Sequence, residues 1–218
     1  MTYRTRFQYL LDKAKDIAHV PELGNSLFHP SPDALPVLFF FTDPARTPHP
    51  EDIAPHLPAG CGMVYRHFGE GHALQRARLL RRIADDHGLI LLIGADEALA
   101  AEVGAHGVHL PERNIDQAPE ILVRNSGMIL TAACHDPATL KRPEVNSLRA
   151  VFVSPVFASQ SHSAIDVGAL GVKGVRVYAD ASPVPVYGLG GVNCDTIGTL
   201  RDSGLSGVAA VDAFRLED

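Results

Sequence analysis

Eight short apolar runs recur along this chain, and their spacing constrains the fold more than any other feature. They are "PVLFFFTD" (36–43), "CGMVYRHF" (61–68), "LILLIGA" (89–95), "GVHL" (107–110), "MILTAACH" (128–135), "AVFVSPVF" (150–157), "VPVYGLGG" (184–191) and "GVAAVDAF" (207–214). Helical stretches separate them, most clearly at 72–87 and 96–103, with others near 116–125, 137–142, 170–180 and 194–203. A run that is apolar throughout marks a strand buried on both faces, and so a parallel sheet under helices. Eight near-equal β-then-helix units predict an α/β fold of one domain, a closed (β/α)8 TIM barrel. The competing arrangement is an open doubly wound sheet, but the chain has no diagnostic glycine-rich first turn.

Two irregularities accompany this repeat. The eighth run ends four residues before the last residue of the sequence, which leaves no room for an eighth helix. Ahead of the first run, residues 4–18 place Phe7, Leu10, Leu11, Ala14, Ile17 and Ala18 on one helical stripe. Residues 1–35 are therefore expected to form an N-terminal helical extension that packs on the barrel of residues 36–218. It would cover the surface an eighth helix normally hides, a task a second copy of the chain can also perform.

Composition narrows the function classes. A formal charge of −6 argues against nucleic acid or an anionic membrane as a general partner. The longest apolar run, Pro36 to Phe41, is far too short to span a bilayer. The N-terminus lacks the continuous apolar core of a signal peptide, and Cys61, Cys134 and Cys194 show neither zinc spacing nor a disulfide framework. The expectation is a cytoplasmic protein with reduced thiols and a small-molecule ligand, as a monomer or a homo-oligomer.

In such a barrel, the residues at the carboxyl ends of the strands face the active site. The candidates are Thr42 and Asp43, Arg66 and His67, Gly94 to Asp96, Glu112, His135 and Asp136. Ser159, Ser161 and His162 follow the sixth strand, Gly190, Gly191 and Asn193 the seventh, and Asp212 the eighth. Lys13, Lys15, Lys141 and Lys173 all lie on helices or their edges, which argues against a Schiff-base aldolase. No His/Asp/Glu cluster has tight metal-ligand spacing, so no metal site is expected from the residues themselves. The turn "GLGGVN" (188–193) either offers backbone N–H groups to a phosphate or uses glycine only to make a tight turn. Arg66 either meets an anionic ligand or pairs with a carboxylate such as Asp43. His109 reads as a packed, hydrogen-bonded core histidine, Cys134 as a small buried filler, and Asp136 as a helix cap.

The segments "GAHGVHLPE", "CHDPATL", "FVSPVFASQSHS", "GALGVKGVR", "PVYGLGGVN" and "GLSGVAAVDAF" occur in this order. Together they resemble successive motifs of the thiamin phosphate synthase and TenI (thiazole tautomerase) family, from about Pro36 to Phe214. The resemblance implies a small (β/α)8 barrel. It also implies one of two activities. The synthase joins a thiazole phosphate to a pyrimidine diphosphate and releases pyrophosphate with Mg2+. TenI relatives move a proton on the thiazole phosphate without a metal.

Against the synthase pattern, Gly94-Ala95 stands where Asn-Asp is expected, and the next acidic ligand falls on Asn114. The Gln and Lys beside Arg66 fall on Val64 and Phe68, and the lysine of the sixth loop falls on His162. Asp43 and Asp96 could substitute if the register or a loop shifts. Ser159 and Ser161 replace a pair of threonine hydroxyls, and Gly190 and Gly191 match the phosphate-binding glycines. Asp212 takes the place of a serine, where a carboxylate repels a dianion unless it points away or is protonated. His135 matches the tautomerase acid/base, a role suited to imidazole; the alternative is a lining residue.

The favoured expectation is therefore a metal-independent proton transfer by His135. Ser159, Ser161, Gly190, Gly191 and Arg66 would anchor the ligand, and His162 and Asp212 would line its site. No cofactor is expected, and Mg2+ would enter only with the synthase alternative. A non-catalytic ligand-binding barrel is the third reading. The loop 158–169 has a composition that suits either a lid or a plain surface loop.

Overall fold

The computed structural model describes residues 2–18, 35–158 and 168–216. Its eight strands are β1 (Leu38–Phe41), β2 (Gly62–Tyr65), β3 (Ile90–Gly94), β4 (Gly107–Leu110), β5 (Ile129–Cys134), β6 (Ala150–Val153), β7 (Val186–Leu189) and β8 (Gly207–Ala210). Each pairs in parallel with the next. The pairing of β1 with β8, with Leu38 opposite Val208 and Phe40 opposite Ala210, closes the barrel. The helices are α1 (Tyr3–Ile17), α2 (Pro50–Ile53), α3 (Ala73–His87), α4 (Glu97–Val103), α5 (Ala118–Arg124) and α6 (Gly171–Ala181).

Strand alternation divides the strand side chains into two sets. Phe39, Phe41, Val64, Leu92, Phe152, Tyr187 and Ala209 form one buried cluster inside the barrel. Leu38, Phe40, Met63, Leu91, Val108 and Leu130 belong to the other, against the helices. The interior is largely aromatic. Phe152 meets Phe39, Phe41 and Tyr187 at ring-centroid distances of 5.3, 5.0 and 4.9 Å. That crowding demands small residues nearby: a Cβ on Gly62 would sit 2.1 Å from the Phe39 ring.

Helix α1 buries Phe7, Leu10, Leu11, Ala14 and Ile17, the i, i+3, i+4, i+7 stripe of an amphipathic helix. The Thr2 hydroxyl accepts a hydrogen bond from the Thr5 N–H at its start. Phe7 packs on Phe214 (5.1 Å), and Phe214 packs on Phe40 of β1 (5.2 Å). Helix α1 therefore lies over the β1–β8 seam. After β8 the described residues form only a 3-10 turn, Asp212–Phe214.

Two expected helices differ. Residues 137–142 form the 3-10 turn Pro137–Lys141, followed by a second, Pro143–Ser147, and residues 194–203 hold only the 3-10 turn Ile197–Leu200. In the first case Pro143 drives the preceding Arg142 into extended backbone, which ends the helix before a second turn. In the second, Thr196, Gly198 and Thr199 are poor helix formers and Asp202 turns to a positive φ of 61° ahead of Gly204. Among the described residues no helix is long and apolar enough to cross a membrane.

Candidate active site at the carboxyl ends of the strands

The carboxyl ends of the strands surround a cleft of about 790 Å3. Of the expected site residues, Arg66, His135, Gly190, Gly191 and Asp212 line it together. Ser159, Ser161, His162 and most of the loop 158–169 lie outside the described residues. Asn114 sits in the 3-10 turn Glu112–Gln117 and does not line the cleft.

On the β1–β2–β8 side the charges form a chain. The Asp43 carboxylate accepts from the Ala45 and Arg46 N–H groups and pairs with the Arg46 guanidinium at 3.0 Å. Arg46 reaches on to Asp212 at 3.1 Å, and Arg66 stands 3.6 Å from Asp43. Arg66 also donates from Nε to the Thr42 carbonyl at 2.7 Å and lies over the Phe41 ring. Burial works against the Asp43 charge, but the Arg46 hydrogen bond and the two guanidinium charges outweigh it and lower its pKa. Burial likewise pushes Arg66 down to about 10, against the pull of Asp43, so it remains a cation at neutral pH. The Asp212 carboxylate thus has a guanidinium counterion, which offsets its repulsion of an anionic ligand.

On the β3–β4 side the carboxylates are committed to the protein. Asp96 accepts from the Leu99 N–H to cap α4 and stands 3.3 Å from His67 Nε2. Glu112 accepts from the N–H groups of both His135 and Asp136, each at 3.1 Å. The Mg2+ that the resemblance implies for the synthase does not fit this donor set. Gly94 and Ala95 bring no side-chain oxygen, Asp43 faces two arginines, and Asp96 and Glu112 hold other partners. Among the described residues no group of three or more His, Cys, Asp or Glu is placed to hold a metal ion.

His135 is clamped through its backbone. Glu112 holds its N–H, and the Tyr178 hydroxyl donates to its carbonyl at 2.6 Å. Its Nδ1 faces the Ser154 carbonyl at 3.3 Å and the Ser154 hydroxyl at 3.4 Å. A carbonyl only accepts, so the first contact needs a proton on Nδ1, the tautomer in which Nε2 is the basic nitrogen, whereas the hydroxyl can meet either tautomer. Asp136 caps the following turn by accepting from the Ala138 N–H at 2.8 Å. Cys134 is buried, and its thiol is pushed up to about 12 by that burial and the nearby carboxylates, which disfavours a thiolate nucleophile.

The Gly190–Gly191 turn needs glycine for its own geometry. Both residues have positive φ, 99° and 67°. A Cβ on Gly191 would also lie 2.7 Å from the Ala158 carbonyl oxygen. Beyond it, Asn193 accepts from the N–H groups of Asp195 and Thr196, and the Thr196 hydroxyl donates to the Gly191 carbonyl at 2.9 Å.

His109 closes the floor of the cleft. It is 7% exposed, bonded to the Thr131 hydroxyl at 3.0 Å and wedged edge-on against Phe41 and Phe152. Burial pushes its pKa down to about 3, with smaller contributions from Arg66 and His135. Below pH 6.5 the unfolded chain binds a proton here that the native state refuses until about pH 3. Stability should therefore fall as pH drops through that window. The measurement is urea unfolding of the wild type and His109→Gln at pH 7 and pH 4. The wild type should lose more stability between the two than the variant does.

The lining residues that sequence reasoning missed include Arg46 and Arg6, along with Ser154, Asp195 and Arg215. Arg46 stands in "TDPAR", three residues past Asp43, a spacing that lets the two side chains pair across the turn. Arg6 carried no such signal, because it lies on a helix that reads only as cover.

The fold and the cleft define a closed (β/α)8 barrel of the class that carries its site at the carboxyl ends of the strands, here lined by arginines and a histidine. Within that class, the chain belongs to the thiamine monophosphate synthase family, whose sequence model matches residues 41–214. A thiamine-phosphate synthase of Synechococcus is 27% identical over 161 residues, a match spanning 72% of this chain but only 45% of that protein. Another, from Limosilactobacillus fermentum, is 26% identical over 146 residues, 66% of this chain and 67% of its own. Among solved structures, a thiamine phosphate pyrophosphorylase from Pyrococcus furiosus superposes with a TM-score of 0.71 at 18% identity. It covers 83% of this chain and 91% of the other, a likeness of fold.

Proposed function

We propose that this barrel binds a thiazole phosphate, or a closely similar heterocyclic phosphate, and that His135 moves a proton on it without a metal. The observation that carries this reading is the His135 ring. Its Nδ1 is turned to the Ser154 carbonyl, its backbone is held at both ends, and it lines the cleft. Nε2 would take a proton from one carbon of the heterocycle, the electron pair would move through the conjugated ring, and the imidazolium would return the proton to another carbon. No atom is gained or lost. An imidazole suits both halves because its unperturbed pKa lies near neutral pH.

The second reading, a synthase releasing pyrophosphate, finds less support. The strand-end carboxylates that would serve Mg2+ are engaged with arginines, a histidine and backbone N–H groups. Calorimetric titration with the thiazole phosphate, with and without Mg2+, should give micromolar binding that ignores the ion. Magnesium-dependent pyrophosphate release at an ordinary enzymatic rate would overturn the proposal. Binding with no proton exchange at all would leave a ligand-binding barrel.

A further inference from the structure

Two side chains hold the backbone of His135, and they come from different elements. Glu112, after β4, accepts from its N–H at 3.1 Å, and the Tyr178 hydroxyl, on α6, donates to its carbonyl at 2.6 Å. The ring meets a third element, because Nδ1 faces Ser154 just past β6. Helix α6 is tied to that segment too. The Leu170 N–H donates to the Pro155 carbonyl at 2.9 Å, and the Gly171 N–H to the Val156 carbonyl at 2.8 Å. The helix thus braces the histidine directly at its backbone, and indirectly at its ring through the two residues beyond Ser154.

Tyr178 is 3% exposed and belongs with Val175 to the core between helices and barrel. Packing needs only its ring, which phenylalanine would supply at nearly the same volume. The hydroxyl is a polar group taken out of water, and the bond to His135 offsets that loss. Burial, with Cys134, Asp136 and Glu112 adding to it, pushes the phenol up to about 12. Tyr178 is therefore a neutral donor throughout the range in which an imidazole titrates.

Placement decides what a base at this point can do. Its nitrogen must stand within about 3.2 Å of the proton it takes, and a displacement of about 1 Å costs on the order of a hundred-fold in rate. His135 stands one residue past Cys134, the last residue of β5 in register with β6. Its place rests on these side chains more than on the sheet.

We propose that Tyr178 is a positioning residue of this site: its hydroxyl, on α6, sets where the His135 imidazole stands against the ligand. The proposal rests on the proton-transfer reading above and adds the group that places the base. It makes α6 a part of the active site, although the helix contributes no described residue to the cleft lining.

The test compares Tyr178→Phe with the wild type by two readouts on the full chain. The first is proton exchange on the thiazole phosphate in deuterated water. Its rate at saturating ligand should fall roughly ten- to a hundred-fold, with the half-saturating ligand concentration within about two-fold of the wild type. The second is the pair of His135 ring nitrogen signals, recorded by NMR on isotope-labelled protein without ligand, above the pH at which imidazole titrates. They are assigned by their loss in His135→Ala, and in Tyr178→Phe they should move toward those of free histidine. Tyr65→Phe removes the hydroxyl of another buried tyrosine, one outside the cleft lining, and should leave both readouts unchanged.

A wild-type saturated rate in Tyr178→Phe overturns the inference and leaves the proposed function standing. A fall in rate with unmoved ring signals also overturns it, because the hydroxyl then acts by another route. So does a fall accompanied by an equal loss of ligand affinity, because the hydroxyl then only shapes the cleft. A wild type that exchanges no proton removes the proposed function, and the ring signals then decide alone. Moved, they keep Tyr178 as the residue that places His135; unmoved, they remove it as well.

Discussion

Replacing His135 by alanine should lower proton exchange on the thiazole phosphate by roughly 10²- to 10⁴-fold, the usual contribution of a positioned acid/base group. Ligand affinity and thermal stability should change little. The reason is local. Glu112 and Tyr178 hold the His135 backbone N–H and carbonyl, and both bonds survive the loss of the ring. The Glu112 bond to Asp136 and the Asp136 cap of the following turn also remain. What disappears is the imidazole and its contact with Ser154. The readout is exchange of the ligand's carbon-bound protons with deuterated water, followed by proton NMR at saturating ligand. Exchange at the wild-type rate would reduce His135 to a lining residue.

Phe152→Ala should cost about 3–5 kcal/mol of folding stability, as other buried aromatic truncations do. Phe152 is 1% exposed and stands at the centre of the barrel interior, touching Phe39, Phe41, Tyr187 and His109. A closed barrel cannot collapse easily onto the gap, because its eight strands are paired on both sides. Since domains of this kind carry only about 5–15 kcal/mol in total, much of the stability would go. Urea unfolding measures it, with Val123→Ala as the reference. Val123 is 86% exposed, and its change should stay within about 0.5 kcal/mol. An equal loss in the two variants would mean that the interior closes over the missing ring.

The barrel was legible because its signal is local. Each strand is a short apolar run, and eight of them at near-equal spacing leave few ways to bury two faces at once. The amphipathic stripe of α1 was legible for the same reason, since Phe7, Leu10, Leu11, Ala14 and Ile17 recur at helical period. His109 was also readable as a packed, hydrogen-bonded residue, because an imidazole inside a four-residue apolar strand has nowhere to go but the core. The helices expected at 137–142 and 194–203 were misread because proline and glycine at their ends decide between a full helix and a single turn.

The electrostatics of the site were not legible. Asp212 alone reads as a charge that repels phosphate. Its counterion, Arg46, lies 166 positions earlier and meets it only because β1 and β8 are neighbours in the closed barrel. Glu112 reads as a free carboxylate at a strand end and is in fact the clamp for the backbone after β5. Arg6 reads as one more polar residue on a covering helix.

The sequence by itself determined the strands, the parallel barrel and the family, because hydrophobic period and motif order are properties of neighbouring residues. Only the tertiary structure decided which charges neutralise each other, which carboxylates are already engaged, and what the His135 ring faces. Those depend on side chains brought within about 3 Å by strands far apart in the chain, where hydrogen-bond geometry sets the outcome.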